Sequence, residues 1–375
     1  MRFLLFSFSM PELLKDTPGT AGGASVQWKS WIKGFKDNGH EFGLLTYKGA
    51  AEYINLKLDF DIVECYDPKK GIKKLRILYY QIPAIYKAIK KYKPNYVIQV
   101  SASAHTGMVM IACKILSIPI IHRIASDVHV NEQLTLIEKR EIFLYKLGLK
   151  HSDFISTQNS YQFNKLKHKY PGKNIFIIHN PYILETNEGD ILPRDRREYI
   201  SWIGHFRYIK NLPALTNVAK ELAEIKFKIA GVEYPDLDEE TRKSIIELKQ
   251  LKNVEFVGYL RRDGITSFLS KSIALINTSL NEGFSNTFLE SWSAGVPVVT
   301  TTNVNPDEIV SKFNLGEVAD NFDQLAFSLK RIINLNSAAY NKLASHCYNY
   351  VKEKHDPKIL AEEFVSYLNM KNKNY

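Results

Sequence analysis

Short runs of aliphatic and aromatic residues alternate along the chain with longer segments in which apolar positions recur at three- and four-residue spacing. The runs read as buried strands, because they are continuous rather than alternating and rich in branched side chains. The longer segments read as helices that bury one face. Strands are predicted at residues 3–8, 42–46, 62–65, 96–100, 119–122, 154–156 and 175–179, with helices between them. After a polar stretch at 185–198 the alternation restarts at 199–203, 227–230, 254–257, 273–276 and 296–300. This order predicts an α/β protein with two parallel, doubly wound Rossmann-like domains and a linker around 180–197. Ligands of such sheets bind beyond the carboxyl ends of the strands, so two sheets facing across a cleft would place one reactant on each wall. A last amphipathic piece, 359–370, is long enough to pack back across a domain boundary.

Composition narrows the class. At 375 residues, 45% hydrophobic and 24% charged, the chain has the makings of two cores and no sign of disorder. Cys65, Cys113 and Cys347 are odd in number and far apart, which predicts inert thiols in a reducing compartment and no zinc site. The opening MRFLLFSFSM reads as the first strand rather than a signal peptide. The longest apolar stretch, near residues 108–121, is broken by Lys114 and Pro119, so no spanning helix is expected.

The net charge of +10 is uneven: residues 1–180 hold 26 Lys and Arg against 14 Asp and Glu (+12), leaving 24 against 26 (−2) for the rest. No acid occurs between Pro68 and Ser126, a segment with eleven Lys and Arg from Lys69 to Arg123. Leu75, Leu78, Ile82, Ile85 and Ile89 repeat there at helical spacing, interleaved with Tyr79, Tyr80, Tyr86 and Tyr92, and Pro83 is expected to kink or restart the helix. The pattern predicts an anionic partner, such as an anionic membrane surface, or else an ordinary domain helix with solvated lysines. Tyrosines among basic residues also suit nucleic acid, but no reading module accompanies them, so none is expected as a partner.

The richest local pattern is NEGFSNTFLESWSAGVPVV at 281–299. Glu282 lies just beyond the predicted strand 273–276, Gly283 permits a tight turn, and Ser285 or Asn286 is a candidate N-cap. Gly295 and Pro297 stop the helix, which leaves Glu290 inside it. The first-turn amides favour an anion such as a diphosphate, and each carboxylate is able to accept hydrogen bonds from a pair of sugar or ribose hydroxyls. The bland alternative is a capped surface helix with solvated acids.

The paired glutamates and the following SWSAGVPVV resemble the signature of the retaining glycosyltransferases of family 4, with Asn305 to Val310 and Gly316 resembling its continuation. GGASVQWKSWIKGFKDNGHE at 22–41 is similar to that family's glycine loop, helix and Gly-His turn. The resemblance implies a GT-B architecture: an acceptor-binding domain at 1–181, a donor-binding domain at 182–357 and a crossover helix at 358–375. It implies that Glu290 holds the donor ribose and Glu282 the transferred sugar, with Gly283, backbone groups at Phe284 and Ser285, and Asn286 alongside. In WIGHFRYIKN (202–211), Gly204 and Lys210 match the family's diphosphate-binding element, whereas His205 stands at the usual arginine position and Arg207 follows two residues later. Gly22 and Gly23 match the loop that approaches the donor. In PIIHRIASDVHV (119–130), Asp127 is the preferred match for a residue facing the sugar, with His122, His129 and His105 as alternatives, and a helix cap as the structural role for Asp127. Tyr259, after Val257 and Gly258, falls where the family meets the nucleobase.

The reaction so implied is transfer of a sugar from a nucleoside diphosphate sugar to a glycan or lipid-linked acceptor, with retention and without a metal or other cofactor. Arg207 and Lys210 would carry the charge neutralisation. Two other classes share the residues: a nucleotide-sugar epimerase of the same architecture and a noncatalytic sugar-nucleotide-binding subunit.

Overall fold

The computed structural model describes residues 1–14, 23–54, 59–72, 75–100, 102–131, 139–233 and 237–372. They form two units, Met1–Pro181 with Asp356–Tyr375, and Tyr182–His355. The chain passes into the second unit between Pro181 and Tyr182 and returns to the first between His355 and Asp356.

The first unit is built on seven parallel strands: β1 (Arg2–Phe6), β2 (Glu41–Thr46), β3 (Asp61–Glu64), β4 (Tyr96–Val100), β5 (Ile120–Arg123), β6 (Phe154–Thr157) and β7 (Asn174–Ile177). Their order is β3-β2-β1-β4-β5-β6-β7, so the direction of winding reverses between β1 and β4, where Phe3 pairs with Tyr96. Except in the edge strand β3, residues from both sides of each strand are buried, as expected of a sheet covered by helices on both faces. On one face the Gly23–Asp37 helix contributes Trp28, Trp31 and Phe35, and the returning C-terminal helix contributes Phe364 and Leu368. The two helices approach closely at Gly34, where an added Cβ would lie 2.0 Å from the Pro357 carbonyl oxygen. The last helix runs Pro357–Asn372 and belongs to the first unit.

The second unit has six parallel strands: β8 (Tyr199–Ile203), β9 (Phe227–Ala230), β10 (Val254–Gly258), β11 (Ser272–Ile276), β12 (Val298–Thr301) and β13 (Gly316–Ala319). The order β10-β9-β8-β11-β12-β13 puts the winding reversal between β8 and β11. β11 is buried at all five residues, which matches its uninterrupted SIALI sequence. The Asn286–Ser293 helix follows it and is stopped as predicted: Gly295 has φ +65°, a conformation glycine adopts without a Cβ penalty.

Three expectations change. β13 is an additional strand, hidden because only Ala319 of its four residues is fully buried. The polar stretch at 182–197 is not a loose linker but wraps the second unit: buried Arg197 donates to the carbonyls of Leu192, Ser272 and Ala294. The helix over Leu75 to Ile89 restarts near Pro83, as expected, but its apolar stripe is not buried throughout. A π-helical turn, Ile77–Gln81, runs directly into an α-helix, Ile82–Tyr92, with Pro83 as its second residue, where the missing N–H interrupts the hydrogen-bond ladder. Ile82, Ile85 and Ile89 are buried, whereas Leu75 and Leu78 face solvent.

Candidate functional site

The reversal between β8 and β11 opens the crevice in which doubly wound sheets bind ligands. The segments leaving these two strands are stitched together there. The Trp202 indole donates to Thr278 Oγ1 (3.1 Å), that hydroxyl donates to the Lys210 carbonyl (2.7 Å), and the Leu280 amide donates to the Ile209 carbonyl (2.9 Å). This backbone frame brings together two side chains 72 residues apart. Lys210 Nζ lies 2.5 Å from Glu282 Oε1, and the same oxygen accepts from Ser279 Oγ at 2.6 Å and Asn277 Nδ2 at 3.3 Å. Burial opposes ionisation of Glu282, but the Lys210 charge and these donors outweigh it and hold the carboxyl below its usual range.

The chain after β8 also carries His205 and Arg207. Burial, then the charges of Arg207 and Lys210, push the His205 imidazole below its usual range. Arg207 is exposed. Gly231, just past β9, allows the backbone to pass close to Gly204: a Cβ on it would lie 1.9 Å from the Gly204 carbonyl oxygen.

Past Glu282, the chain turns through Gly283 into the Asn286–Ser293 helix, with Ser285 at its N-cap. Ser285 Oγ lies 2.8 Å from Thr287 Oγ1. The Phe284 ring is buried against His355, leaving its backbone for any ligand contact. Glu290 is buried and its partner is a residue the sequence did not single out: Arg262 Nη1 lies 3.0 Å from Glu290 Oε1. Burial pushes the Glu290 carboxyl upward and Arg262 opposes the shift. One signal for Arg262 is present in the sequence. It opens the Arg262–Ser270 helix, where the macrodipole disfavours a cation. Tyr259, just past β10, is exposed.

In the first unit, Gly23 begins the Gly23–Asp37 helix, and Gly22 lies outside the described residues. Asp127 opens a short 3-10 turn after β5. Its Oδ1 accepts from Gln162 Nε2 (2.8 Å) and Asn159 Nδ2 (3.2 Å), and Ser126 rather than Asp127 caps the turn. Of the three histidines considered beside it, His122 is fully buried, and His105 and His129 are half-buried. His122 Nδ1 lies 2.6 Å from Gln99 Oε1, His105 Nε2 lies 2.7 Å from Tyr66 Oη, and His129 packs on Tyr145. Burial lowers their pKa values to about 3 for His122 and about 4 for His105 and His129. Among the described residues no group of three His, Cys, Asp or Glu side chains is arranged to hold a metal ion.

Residues 185–354 match the family model for glycosyl transferases group 1, and residues 21–186 match that for glycosyltransferase family 4. Among solved structures, the chain is similar to a glycosyltransferase from Rickettsia africae (TM-score 0.76, 16% identity, 100% of this chain and 99% of that one). It is also similar to a sucrose-phosphate synthase from Thermosynechococcus elongatus (0.75, 16%, 100% of both). A third is HepE of Anabaena in complex with UDP and glucose (0.74, 15%, 98% and 99%). At these identities the likeness is one of fold. No curated protein matches the chain.

His105, His122 and His129 generate a pH prediction. Their folded pKa values lie below the unfolded value of about 6.5, so the unfolded chain takes up the extra protons and stability falls as pH drops from about 6.5 toward 4. In proton NMR the ring signals of His105, His122 and His129 should stay in their neutral positions down to about pH 5, while melting temperature declines over that range. Titration of these three rings near pH 6.5 would contradict the burial argument.

Proposed function

The chain belongs to the family 4 type of glycosyltransferases, and on that premise we propose that it is a retaining, metal-independent enzyme using a nucleoside diphosphate sugar. The observation that carries this reading is the Lys210–Glu282 pair at the β8/β11 reversal, with Glu290 eight residues further on. Lys210 and Arg207 neutralise the diphosphate, where each charge-assisted hydrogen bond is worth roughly 1.5–3 kcal/mol. Contacts that tighten as the leaving diphosphate gains charge lower the barrier. Glu282 accepts from hydroxyls of the transferred sugar and Glu290 from the ribose. Gly204, Gly283, Ser285 and Asn286 let backbone groups reach the donor, and Tyr259 meets the base. A neighbouring fold, HepE, binds UDP and glucose, which supports UDP as the first nucleotide to try.

The acceptor in this reading is a glycan or lipid-linked sugar at a cytoplasmic membrane face, in synthesis of a surface polysaccharide or glycolipid. No helix among the described residues is long and apolar enough to cross a membrane. Peripheral attachment has support of another kind: Ile72, Leu75, Leu78 and Tyr79 are all more than half exposed, in a region with exposed Lys69 and Lys70 and no acid from Pro68 to Ser126. Apolar side chains beside cations suit the interface of an anionic bilayer.

Two experiments test these proposals. In a thermal-shift panel of UDP, GDP and ADP sugars with EDTA present, one nucleotide class should raise the melting temperature. Glu290→Ala and Lys210→Ala should each cut that shift by more than half, and a glycosidic product of unchanged anomeric configuration should form only with acceptor. Unaltered shifts in both variants would refute the site, and turnover without acceptor would favour an epimerase. Sedimentation with liposomes should require anionic lipid, weaken with salt and fall in Leu75→Glu/Leu78→Glu; equal binding to neutral vesicles would refute the membrane proposal.

A further inference from the structure

Glu290 is almost wholly buried (7% of its side chain exposed), yet Arg262, which meets it at 3.0 Å, is half exposed (46%). The pair links two helices that pack together, Arg262–Ser270 and Asn286–Ser293. Arg262 also ends the short segment that leaves β10 through Gly258, at φ +73°, and carries Tyr259. One guanidinium therefore connects the segment proposed to meet the nucleobase with the carboxylate proposed to meet the ribose.

We propose that Arg262 is a donor-positioning and specificity-determining residue: its guanidinium clamps one oxygen of Glu290 and leaves the second oxygen to accept the ribose hydroxyls. This rests on the reading of Glu290 as the ribose-binding group. The chemistry requires the charged form. An ionised carboxylate only accepts, and a diol brings two donors, whereas a protonated carboxyl spends one oxygen as a donor. The surroundings of Glu290 push the other way. Burial disfavours its charge, Glu185 adds a like charge, and the remaining titratable neighbour, Tyr182, has a phenol kept neutral by its own burial. Arg262 is the group that opposes them. An arginine placed against the dipole at a helix start, and committed to a buried acid on the next helix, fits this assignment better than it fits a surface ion pair.

The inference predicts that the protein prefers ribonucleotides to 2′-deoxyribonucleotides through Arg262. The first arm of its test needs no nucleotide. With the Glu side-chain carboxyl carbons labelled for NMR and Glu290 assigned from Glu290→Gln, Arg262→Met should raise the Glu290 titration midpoint by about one pH unit or more. Arg262→Lys should restore most of the shift. The second arm is calorimetry with UDP and 2′-deoxy-UDP, and in parallel GDP and 2′-deoxy-GDP. Below its own Glu290 midpoint, Arg262→Met should bind the ribonucleotide about tenfold more weakly and discriminate poorly against the deoxy form, with both properties recovering at a pH well above that midpoint. An unchanged Glu290 midpoint, or equal weakening at both pH values, would overturn the role of Arg262 while leaving the ribose assignment standing. Wild-type protein that binds both sugars equally, with the midpoint shift present, would overturn the ribose assignment and this proposal with it.

Discussion

Two carboxylates in places that exclude most water are the constraint around which the second unit is arranged. A buried acid without a counter-charge either takes up a proton or destabilises the fold. The chain supplies a cation to each, from a different part of the sequence: Lys210 to Glu282 and Arg262 to Glu290. The two pairs are not equivalent. Glu282 is surrounded by Lys210, Ser279 and Asn277 and held below the usual carboxylate range, whereas Glu290 has one strong partner and is pushed above it. One acid is firmly charged and the other depends on a single neighbour.

Topology explains why these residues meet. The β8/β11 reversal sends consecutive loops to opposite sides, and the hydrogen bonds from Trp202 to Thr278 and from Leu280 to Ile209 fix the loops that diverge there. Lys210 and Glu282 are thus positioned by backbone and by a buried indole rather than by their mutual attraction. That is the economical order for a binding site, because side chains already held by packing lose little freedom when a ligand arrives. The same logic separates Glu282 and Glu290 from the first unit's histidines. His105, His122 and His129 pack against aromatic and amide groups, and burial lowers their pKa values rather than a charge partner holding them ionised.

Much of this was legible in the sequence, for identifiable reasons. Continuous apolar runs gave nearly every strand because parallel strands covered on both faces must be apolar throughout. The helix from Asn286 was bracketed by an N-cap serine and a glycine with positive φ, both local signals. What escaped was non-local. β13 buries too little side chain to register as a run, and Arg197 reads as part of a charged linker until its carbonyl partners 75 and 97 residues away are seen. Arg262 meets Glu290 across 28 residues and a helix pair, which no spacing rule anticipates. The break in the stripe from Leu75 to Ile89 was legible in Pro83, whereas the π-helical turn before it was not.

The central claim is that one nucleoside diphosphate lies at the carboxyl ends of β8 and β11, with its ribose on Glu290 and its diphosphate beside Lys210. A crystal structure of the protein with UDP or GDP bound tests this most directly. The account predicts both ribose hydroxyls within hydrogen-bond distance of Glu290 and phosphate oxygens within reach of the Lys210 ammonium. A nucleotide seated elsewhere, or one that leaves Glu290 and Lys210 untouched, would contradict it.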